Sequence, residues 1–425
     1  MLTAVAGINW GDEGKGRIIS FLADDYDIIC RFQGGNKVGF NITHGMGETL
    51  LNLLPSGVFR KNVVNVMGSG MVIDLENLCS EMDAIRDLGL DLTPDNLKIS
   101  SNAFICMPYH RLQDNLEKER IGDDPLGSVR RGITPVFGDK YMKKGIRLSA
   151  LLDKAELEYR LVGMLQWKNL SLCGYGSQTA KIAENMEWLN EFGSRIIPFI
   201  TDTSDYLFNA ATNGKKILFE TQLGALCDID YGVYPYTSSY QTLASFAPIG
   251  AGIPGSKLNL VVGVMKAFST TAGKGPFITE MPEPEAEKIR ETGEKTDDES
   301  EAKPARVKRI GWLDLPVVKY AATVNGFDEL AVCKIDKLDN LSEIKVCIGY
   351  KLNGEEIDYM PSTREQLNVV PVYEVMKGWM MNTSKIDKIK DLPANAKKYI
   401  ELIEKIVGVP VKYVGVGPGR SDIAV

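Results

Sequence analysis

Ten residues near the N-terminus, Gly7-Ile8-Asn9-Trp10-Gly11-Asp12-Glu13-Gly14-Lys15-Gly16, restrict this chain more than any other segment. They follow Thr3 to Ile8, an apolar run of strand length, and precede Arg17 to Ala23, where Ile18, Ile19, Phe21 and Leu22 fall at helical spacing. Glycines at such a strand-to-helix turn let backbone N–H groups approach phosphate oxygens. The helix N-terminus adds its positive dipole end, and Lys15 adds a point charge. The spacing is stretched. Six residues lie between Gly7 and Gly14, against four in the G-x-x-x-x-G-K-[ST] phosphate loop. Gly16 stands where that pattern has the Ser or Thr that holds magnesium. Asp12 is unusual in such a loop, because a carboxylate repels phosphates unless it binds a metal or takes a proton from an acceptor. Alone, the segment reads equally well as a Gly-rich turn with an Asp cap.

Other runs extend the pattern. Asp27 to Phe32 and Val63 to Met67 are strand candidates, and Ile73 to Leu88 reads as an amphipathic helix. Thr201 to Asn213 reads as a helix stopped by Gly214, before strands at Lys216 to Phe219 and Leu258 to Met265. Later, Val317 to Val324, Glu329 to Ile335 and Ile344 to Tyr350 are predicted strands. A helix at Ala394 to Ile406 and a strand at Val411 to Val416 follow. The alternation predicts an α/β chain on a large, mainly parallel sheet flanked by helices. Phe32-Gln33-Gly34-Gly35-Asn36-Lys37-Val38-Gly39 can form a second backbone cradle. Cys333-Lys334-Ile335-Asp336 ends a strand, and a carboxylate there can accept both guanine N1–H and N2–H₂, a match adenine does not offer. Glu283 to Arg309 has almost no large apolar residue and reads as a solvated loop. The sharper alternative is a mobile lid whose Arg306, Lys308 and Arg309 meet an anionic ligand.

Composition removes several function classes. Lys plus Arg is 49 and Asp plus Glu is 56, a net charge of −7, so a domain-wide basic footprint for nucleic acid is absent. The two histidines, His44 and His110, are too few for a three-imidazole metal site. Seven cysteines contain no CxxC pair, and most sit in apolar runs such as Ile28-Ile29-Cys30, as buried free thiols of a reducing cytosol would. The opening residues lack a basic signal region, and no apolar run reaches membrane-spanning length. A cytoplasmic protein is expected.

Together these segments resemble the adenylosuccinate synthetase family over nearly the whole chain. The family's Gln-Trp-Gly-Asp-Glu-Gly-Lys-Gly resembles Asn9-Trp10 through Gly16, and its Leu-Pro-Ser-Gly is Leu54-Pro55-Ser56-Gly57. Its Arg-Gly-Ile-Gly-Pro-x-Tyr-x-Asp-Lys looks like Arg131 to Lys140, and its Leu-Asp-Ile-Asp-x-Gly-Thr-Tyr-Pro like Cys227 to Pro235. Gly273 to Glu280, Lys334-Ile335-Asp336 and Gly417-Pro418-Gly419-Arg420 match three later motifs.

The resemblance implies a P-loop NTPase-like adenylosuccinate synthetase fold in one domain over 1–425. A helical insertion would lie at about 100–200 and a mobile loop at about 283–309. It implies a homodimer that joins aspartate to IMP at the expense of GTP, with Mg²⁺. In that reaction a loop Asp takes the N1 proton of IMP, O6 attacks the γ-phosphate, and the aspartate amine displaces phosphate. Positioning, metal and charge neutralisation supply the rate. Carried over by position, Asp12 is the base and a metal ligand, Gly39 gives a metal-binding carbonyl, and Lys15 is catalytic. Gly11, Glu13, Gly14 and Gly16 complete the phosphate cradle. Lys334 and Asp336 fall on the guanine site, and Gly415 and Gly417 on the matching late loop.

The acceptor half departs from the family. Its Gly-Gly-Asn-Asn-Ala-Gly-His is here Gly34-Gly35-Asn36-Lys37-Val38-Gly39-Phe40, so Lys37 replaces an IMP-contacting Asn and Phe40 replaces the His that polarises the phosphate. Gly-Thr-Thr becomes Gly127-Ser128-Val129. The Arg given across the dimer appears as Lys143, which loses bidentate geometry, and a base-contacting Gln falls at Leu223. Thr237-Ser238-Ser239-Tyr240 is one residue short of its counterpart, and the aspartate loop keeps Arg only at Arg306 and Arg309. Acceptor contacts would come from Lys37, Ser128, Lys143, Thr237 and Arg306. The changes cluster by role, so triphosphate chemistry is expected to persist with a changed acceptor, and Lys37 is the candidate for the charge lost with the His. The alternatives are a paralogue ligating a non-IMP acceptor and a non-catalytic nucleotide-binding protein. Trp10 and His110 read as packing residues, Glu13 as orienting the loop, and Arg130 and Arg131 as candidates for touching an anion.

Overall fold

The computed structural model describes residues 1–36, 39–44, 47–122, 130–292 and 308–425. Lys37, Ser128 and Arg306 lie outside the described residues. Strands β1 (Leu2–Gly7), β2 (Ile28–Arg31), β3 (Val64–Met67), β4 (Leu97–Ser100), β5 (Ile200–Thr201), β6 (Ile217–Gly224) and β7 (Leu260–Lys266) run through the first two-thirds. Two short strands, β8 (Ser269–Thr271) and β9 (Arg309–Gly311), precede β10 (Glu329–Cys333), β11 (Val411–Gly415) and β12 (Ile423–Ala424). Among the described residues, a ten-stranded sheet has the order β12-β11-β10-β7-β1-β6-β2-β3-β4-β5. Only the β11–β12 pair is antiparallel.

The sheet is covered on both faces, as parallel sheets require, and the period of two sorts its side chains. From β1, Leu2, Ala4 and Ala6 enter the main core with Phe219, Val261 and Met265. Val5 points the other way, with Leu218, Val262 and Val264, under Ile18, Ile19 and Leu22 of α1 (Lys15–Leu22). A third cluster joins α2 (Leu75–Asp87) to α3 (Pro108–Ile121), α5 (Lys154–Gly174) and α6 (Ile182–Ile196), while α4 (Ile133–Tyr141) packs Ile133, Val136 and Phe137 into a separate one. α7 (Thr203–Thr212) and α8 (Phe246–Ala251) flank β6 in sequence.

Two sequence expectations change. Val317 to Val324 is not a strand but the body of α10 (Leu315–Asn325). Asp314 caps it by accepting from Val317 N–H at 3.3 Å, Pro316 enters at its first turn, and Gly326 closes it in the left-handed region. The solvated stretch at 283–309 begins with a helix, α9 (Glu283–Arg290), whose Ala286 and Ile289 are buried. The remaining helix is α11 (Ala394–Val407). Six of the seven cysteines are buried and Cys173 is exposed. Among the described residues, no helix is long and apolar enough to cross a membrane.

Candidate active site

β1 lies inside the sheet between β6 and β7, and the loop leaves its C-terminal end, where open α/β sheets bind ligands. Glu13, 1% exposed, rivets the loop from within. Its carboxylate accepts from Asn9 N–H at 3.0 Å and Gly11 N–H at 2.9 Å, and binds the Lys15 ammonium at 2.5 Å. Glu13 thus shapes the turn, as the sequence suggested. Lys15 is also buried, its charge tied to Glu13 inside the loop. Gly14 takes φ 94°, and a Cβ there would lie 3.1 Å from Cys333 Sγ, so glycine serves both the turn and the close approach. Trp10 packs beside Leu223, Leu226 and Cys227, an anchor rather than a stacking surface.

Asp12 stands at φ 59°, with 47% of its side chain exposed. Its Oδ2 meets the Lys266 ammonium at 3.0 Å and the Lys308 ammonium at 2.5 Å. Partial burial would raise its carboxyl, but the charges of Lys266, Lys334 and Lys308 outweigh that and hold it far below the usual carboxylate range. Lys266 ends β7 and Lys308 immediately precedes β9, so the β8–β9 pair brings both to one point. In the sequence Lys308 stands out as part of the basic end of the 283–309 stretch, whether solvated loop or anion-meeting lid, whereas no motif in its local pattern marks Lys266. The available signal was a lysine directly after an apolar parallel strand, at the edge where ligands bind.

Among the described residues, no cluster of three His, Cys, Asp or Glu side chains forms a metal cage. Asp12 offers an ionised carboxylate, a donor that suits Mg²⁺, which takes most of its ligands from phosphates and water.

A second cavity of about 600 Å³ is lined by Thr292, Asp336, Lys337 and Asp339 among others. Desolvation raises the Asp336 carboxyl despite nearby Lys337 and Arg17, and its Oδ1 is buried without a hydrogen-bond partner. A carboxylate oxygen in that position suits a ligand donor. Lys334 precedes it at φ 61°. Gly415 lies so near that a Cβ on it would be 3.2 Å from Cys333 Cα. Arg17 of α1 donates to the Gly417 carbonyl. Arg420 donates to Ser20 O at 2.8 Å and pairs with Asp24. The phosphate loop, the Lys334–Asp336 turn and the late loop therefore meet around Arg17, which the sequence reading did not single out.

The second cradle is fastened to β6. Gln222 N–H donates to Gln33 Oε1 and Gln33 Nε2 to Gln222 O, both at 3.1 Å. Gln222 Nε2 donates to Gly35 O at 3.0 Å, and Tyr240 O–H donates to Gln222 Oε1 at 3.1 Å. Asn36 is buried, with its Oδ1 unpartnered. Beside this polar lock, Leu223 sits at φ 61° in an apolar cluster with Val72, Ile133, Val136, Phe137 and Tyr240. Thr237 is half-buried, next to Ser238, whose N–H donates to Cys227 O at 2.8 Å. Phe40 and His44 bound a strand, Phe40–His44, that pairs with Gly47–Leu51.

Not every candidate joins this centre. Lys143, at φ 60°, lines a cavity of about 360 Å³ with Phe104, Lys140, Arg147 and Arg160, and no phosphate-loop residue borders it. Arg309 is bound to Glu280 at 2.5 Å and to the carbonyls of Gly273 and Gly275. Arg131 donates to Asn77 Oδ1 at 3.2 Å. His110 is fully buried, accepting from Met107 N–H at 2.9 Å and facing Asp139, which also pairs with Lys168 at 2.7 Å. It is the packing residue the sequence indicated.

The sequence matches the family described as Adenylosuccinate synthetase over residues 4–424. A Methanosarcina acetivorans protein named adenylosuccinate synthetase 1 is 39% identical, with 100% of this chain and 99% of that protein covered. A Caldicellulosiruptor saccharolyticus adenylosuccinate synthetase is 40% identical over the same shares. The solved structure of fully ligated adenylosuccinate synthetase from Plasmodium falciparum superposes with a TM-score of 0.91 at 33% identity, covering 100% of this chain and 99% of that one. A cyanophage S-2L succinoaminodeoxyadenylate synthetase, at 16% identity and a TM-score of 0.59, shares the fold, with 99% of this chain and 94% of that one covered. By full-length sequence and by architecture, this chain belongs to the adenylosuccinate synthetase family of GTP-dependent ligases.

Proposed function

We propose that this chain is a GTP- and Mg²⁺-dependent C–N ligase that phosphorylates an acceptor oxygen, such as O6 of IMP, and lets an amine, such as that of aspartate, displace the phosphate. One observation carries the reading. A loop surrounded by lysines is joined through Arg17 to a cavity holding the unpartnered Asp336 Oδ1. A triphosphate would lie along the loop amides while guanine N1–H and N2–H₂ donate to Asp336. Asp12 and the Gly39 carbonyl would hold Mg²⁺, which neutralises charge on the phosphates. The acceptor oxygen attacks the γ-phosphorus, the bond to the GDP oxygen breaks, and Asp12 takes the acceptor's proton. The amine nitrogen then attacks the activated carbon, and phosphate leaves with its oxygen. Asp12 is a weak base while two ammoniums hold it, so proton transfer requires those contacts to loosen. Lys15 acts through the loop it shapes with Glu13. Gly11, Gly14 and Gly16 line the cradle, and Lys334, Gly415 and Gly417 line the base side. The family's small-molecule partners, a homodimer and a cytoplasmic location complete the reading, supported by the net charge of −7 and the buried free thiols.

A second reading, an acceptor other than IMP, is favoured by Leu223. Its neighbours are apolar, and the adjacent Gln222 is consumed by Gln33, Gly35 and Tyr240. Such a wall suits an acceptor edge without strong hydrogen-bonding groups. The test is phosphate release from GTP with IMP and aspartate added together and singly. Release that needs both supports the first reading, and release that ignores IMP but responds to another acceptor supports the second. An Asp12→Asn variant with full activity would sink both.

A further inference from the structure

Two of the segments lining the cavity at Asp336 are tied together by one carboxylate. Asp336, Lys337, Asp339 and Asn340 come from the turn after β10, and Asn382 and Ser384 come from the segment after the strand Val370–Lys377. Asp339 N–H donates to Asp336 O at 3.2 Å, which closes the turn. The Asp339 carboxylate, itself buried, accepts from Trp379 Nε1 and Thr383 N–H, both at 2.7 Å, and from Thr383 Oγ1 at 2.9 Å. Gly378 N–H donates to Ser342 O at 2.8 Å, and a Cβ on Gly378 would collide with Leu341 O. Asn382, next to Thr383, is therefore held in place relative to the turn that carries Asp336.

The Asn382 side chain has a defined polarity. Its Oδ1 accepts from Ser384 N–H at 2.7 Å. A backbone N–H only donates, so the oxygen is the atom that meets it and the amide nitrogen takes the other edge. That nitrogen has no hydrogen-bond partner among the described residues. Asn382 thus brings a donor to the cavity, whereas Asp336 brings an acceptor. Guanine carries the complement on adjoining atoms: N1–H and N2–H₂ donate, and O6 accepts. Adenine carries the reverse, an N6–H₂ donor beside an accepting N1.

We propose that Asn382 is a specificity-determining residue of the nucleotide site, donating from Nδ2 to guanine O6 while Asp336 accepts from N1–H and N2–H₂. Adenine would set its N6–H₂ against the Asn382 donor and its N1 against the carboxylate. Each group that favours guanine therefore also rejects adenine. The inference rests on the GTP reading above and extends it to the base edge that Asp336 leaves unread.

The experiment measures binding of GTP, ATP and the 6-thio analogue of GTP, each with Mg²⁺, to the full chain and its Asn382→Asp and Asn382→Ala variants. Asn382→Asp is the sharper change. Its carboxylate accepts from Ser384 N–H as the carboxamide does, but it meets O6 with an acceptor instead of a donor. The added charge acts on the phosphates of GTP and ATP alike, so the ratio of the two affinities isolates the base. That ratio is expected to fall at least about tenfold, in line with loss of one hydrogen bond. Sulfur is a weak acceptor, so the wild-type protein is expected to bind GTP more tightly than its 6-thio analogue. Asn382→Ala is expected to erase that difference. Wild-type protein that prefers GTP to ATP, with the ratio unchanged in Asn382→Asp, overturns the proposal. So does a wild-type protein that ignores the sulfur, or an Asn382→Ala protein that still discriminates against it. Wild-type protein that does not prefer GTP to ATP overturns the guanine reading itself.

Discussion

Asp336 and Asp314 are both carboxylates that desolvation pushes upward, and they differ in what surrounds them. Asp336 borders a cavity and its buried Oδ1 lacks a hydrogen-bond partner, which is the basis for proposing a ligand there. Asp336→Ala is therefore expected to cut the preference for GTP over ATP by roughly ten- to a hundredfold, as loss of hydrogen bonds to a charged group would. Competitive binding of the two nucleotides measures it, and an unchanged preference refutes the guanine assignment. Asp314 is instead engaged within the fold, its Oδ1 accepting from Tyr350 O–H at 2.5 Å and Val317 N–H at 3.3 Å. Burial nevertheless pushes its carboxyl up to about 6. The native state then binds this proton more tightly than the unfolded chain, where a free Asp titrates near about 3.9. No penalty exists below that value. As pH rises through 6, the native state loses up to about 3 kcal/mol relative to acid conditions. Asp314→Asn, nearly the same shape, should gain stability relative to wild type between pH 4 and 7 in urea titrations. A gap that stays flat over that window contradicts the assignment.

At the scale of elements, the strand–glycine–helix unit is where sequence spoke most clearly. β1, the loop and α1 fall where apolar runs and glycines put them, since local backbone requirements are written in residue type. Gly14→Ala at φ 94°, 3.1 Å from Cys333 Sγ, is expected to destabilise the fold by about 1–3 kcal/mol and weaken nucleotide binding. Chemical denaturation and calorimetry together check it, and a neutral result would mean the loop is not held as described. The misread element is equally instructive. Val317 to Val324 contains β-branched residues in an apolar run, which short-range pattern assigns to a strand. Asp314, Pro316 and Gly326 were the contrary evidence, and in a helix buried against the sheet those end signals decide. The candidate site was legible where it is made of contiguous turns: Asp12 to Gly16, Lys334 to Asp336, Gly415 to Gly417. It was not legible where distant strands deliver one side chain each. Lys266 and Asp12 are 254 positions apart, and only the parallel neighbour relation of β7 and β1 makes them partners.

For the whole molecule, three remote segments meet at Arg17, so occupancy of the site should be felt as global stability. GTP at about 100 times its dissociation constant is expected to add about 2.7 kcal/mol. Thermal unfolding with GTP, ATP and IMP reads this out. A shift with GTP and none with IMP would favour the altered acceptor, while no shift with either nucleotide would count against the site. The same convergence bears on synthesis. By the time an elongating polypeptide has passed residue 400, most of the sheet and its covering helices can already associate. Arg17 and Asp24 still await Gly417 and Arg420. A ribosome stalled there would display a nearly finished scaffold, its core already shielded from proteases but its last loop still undocked.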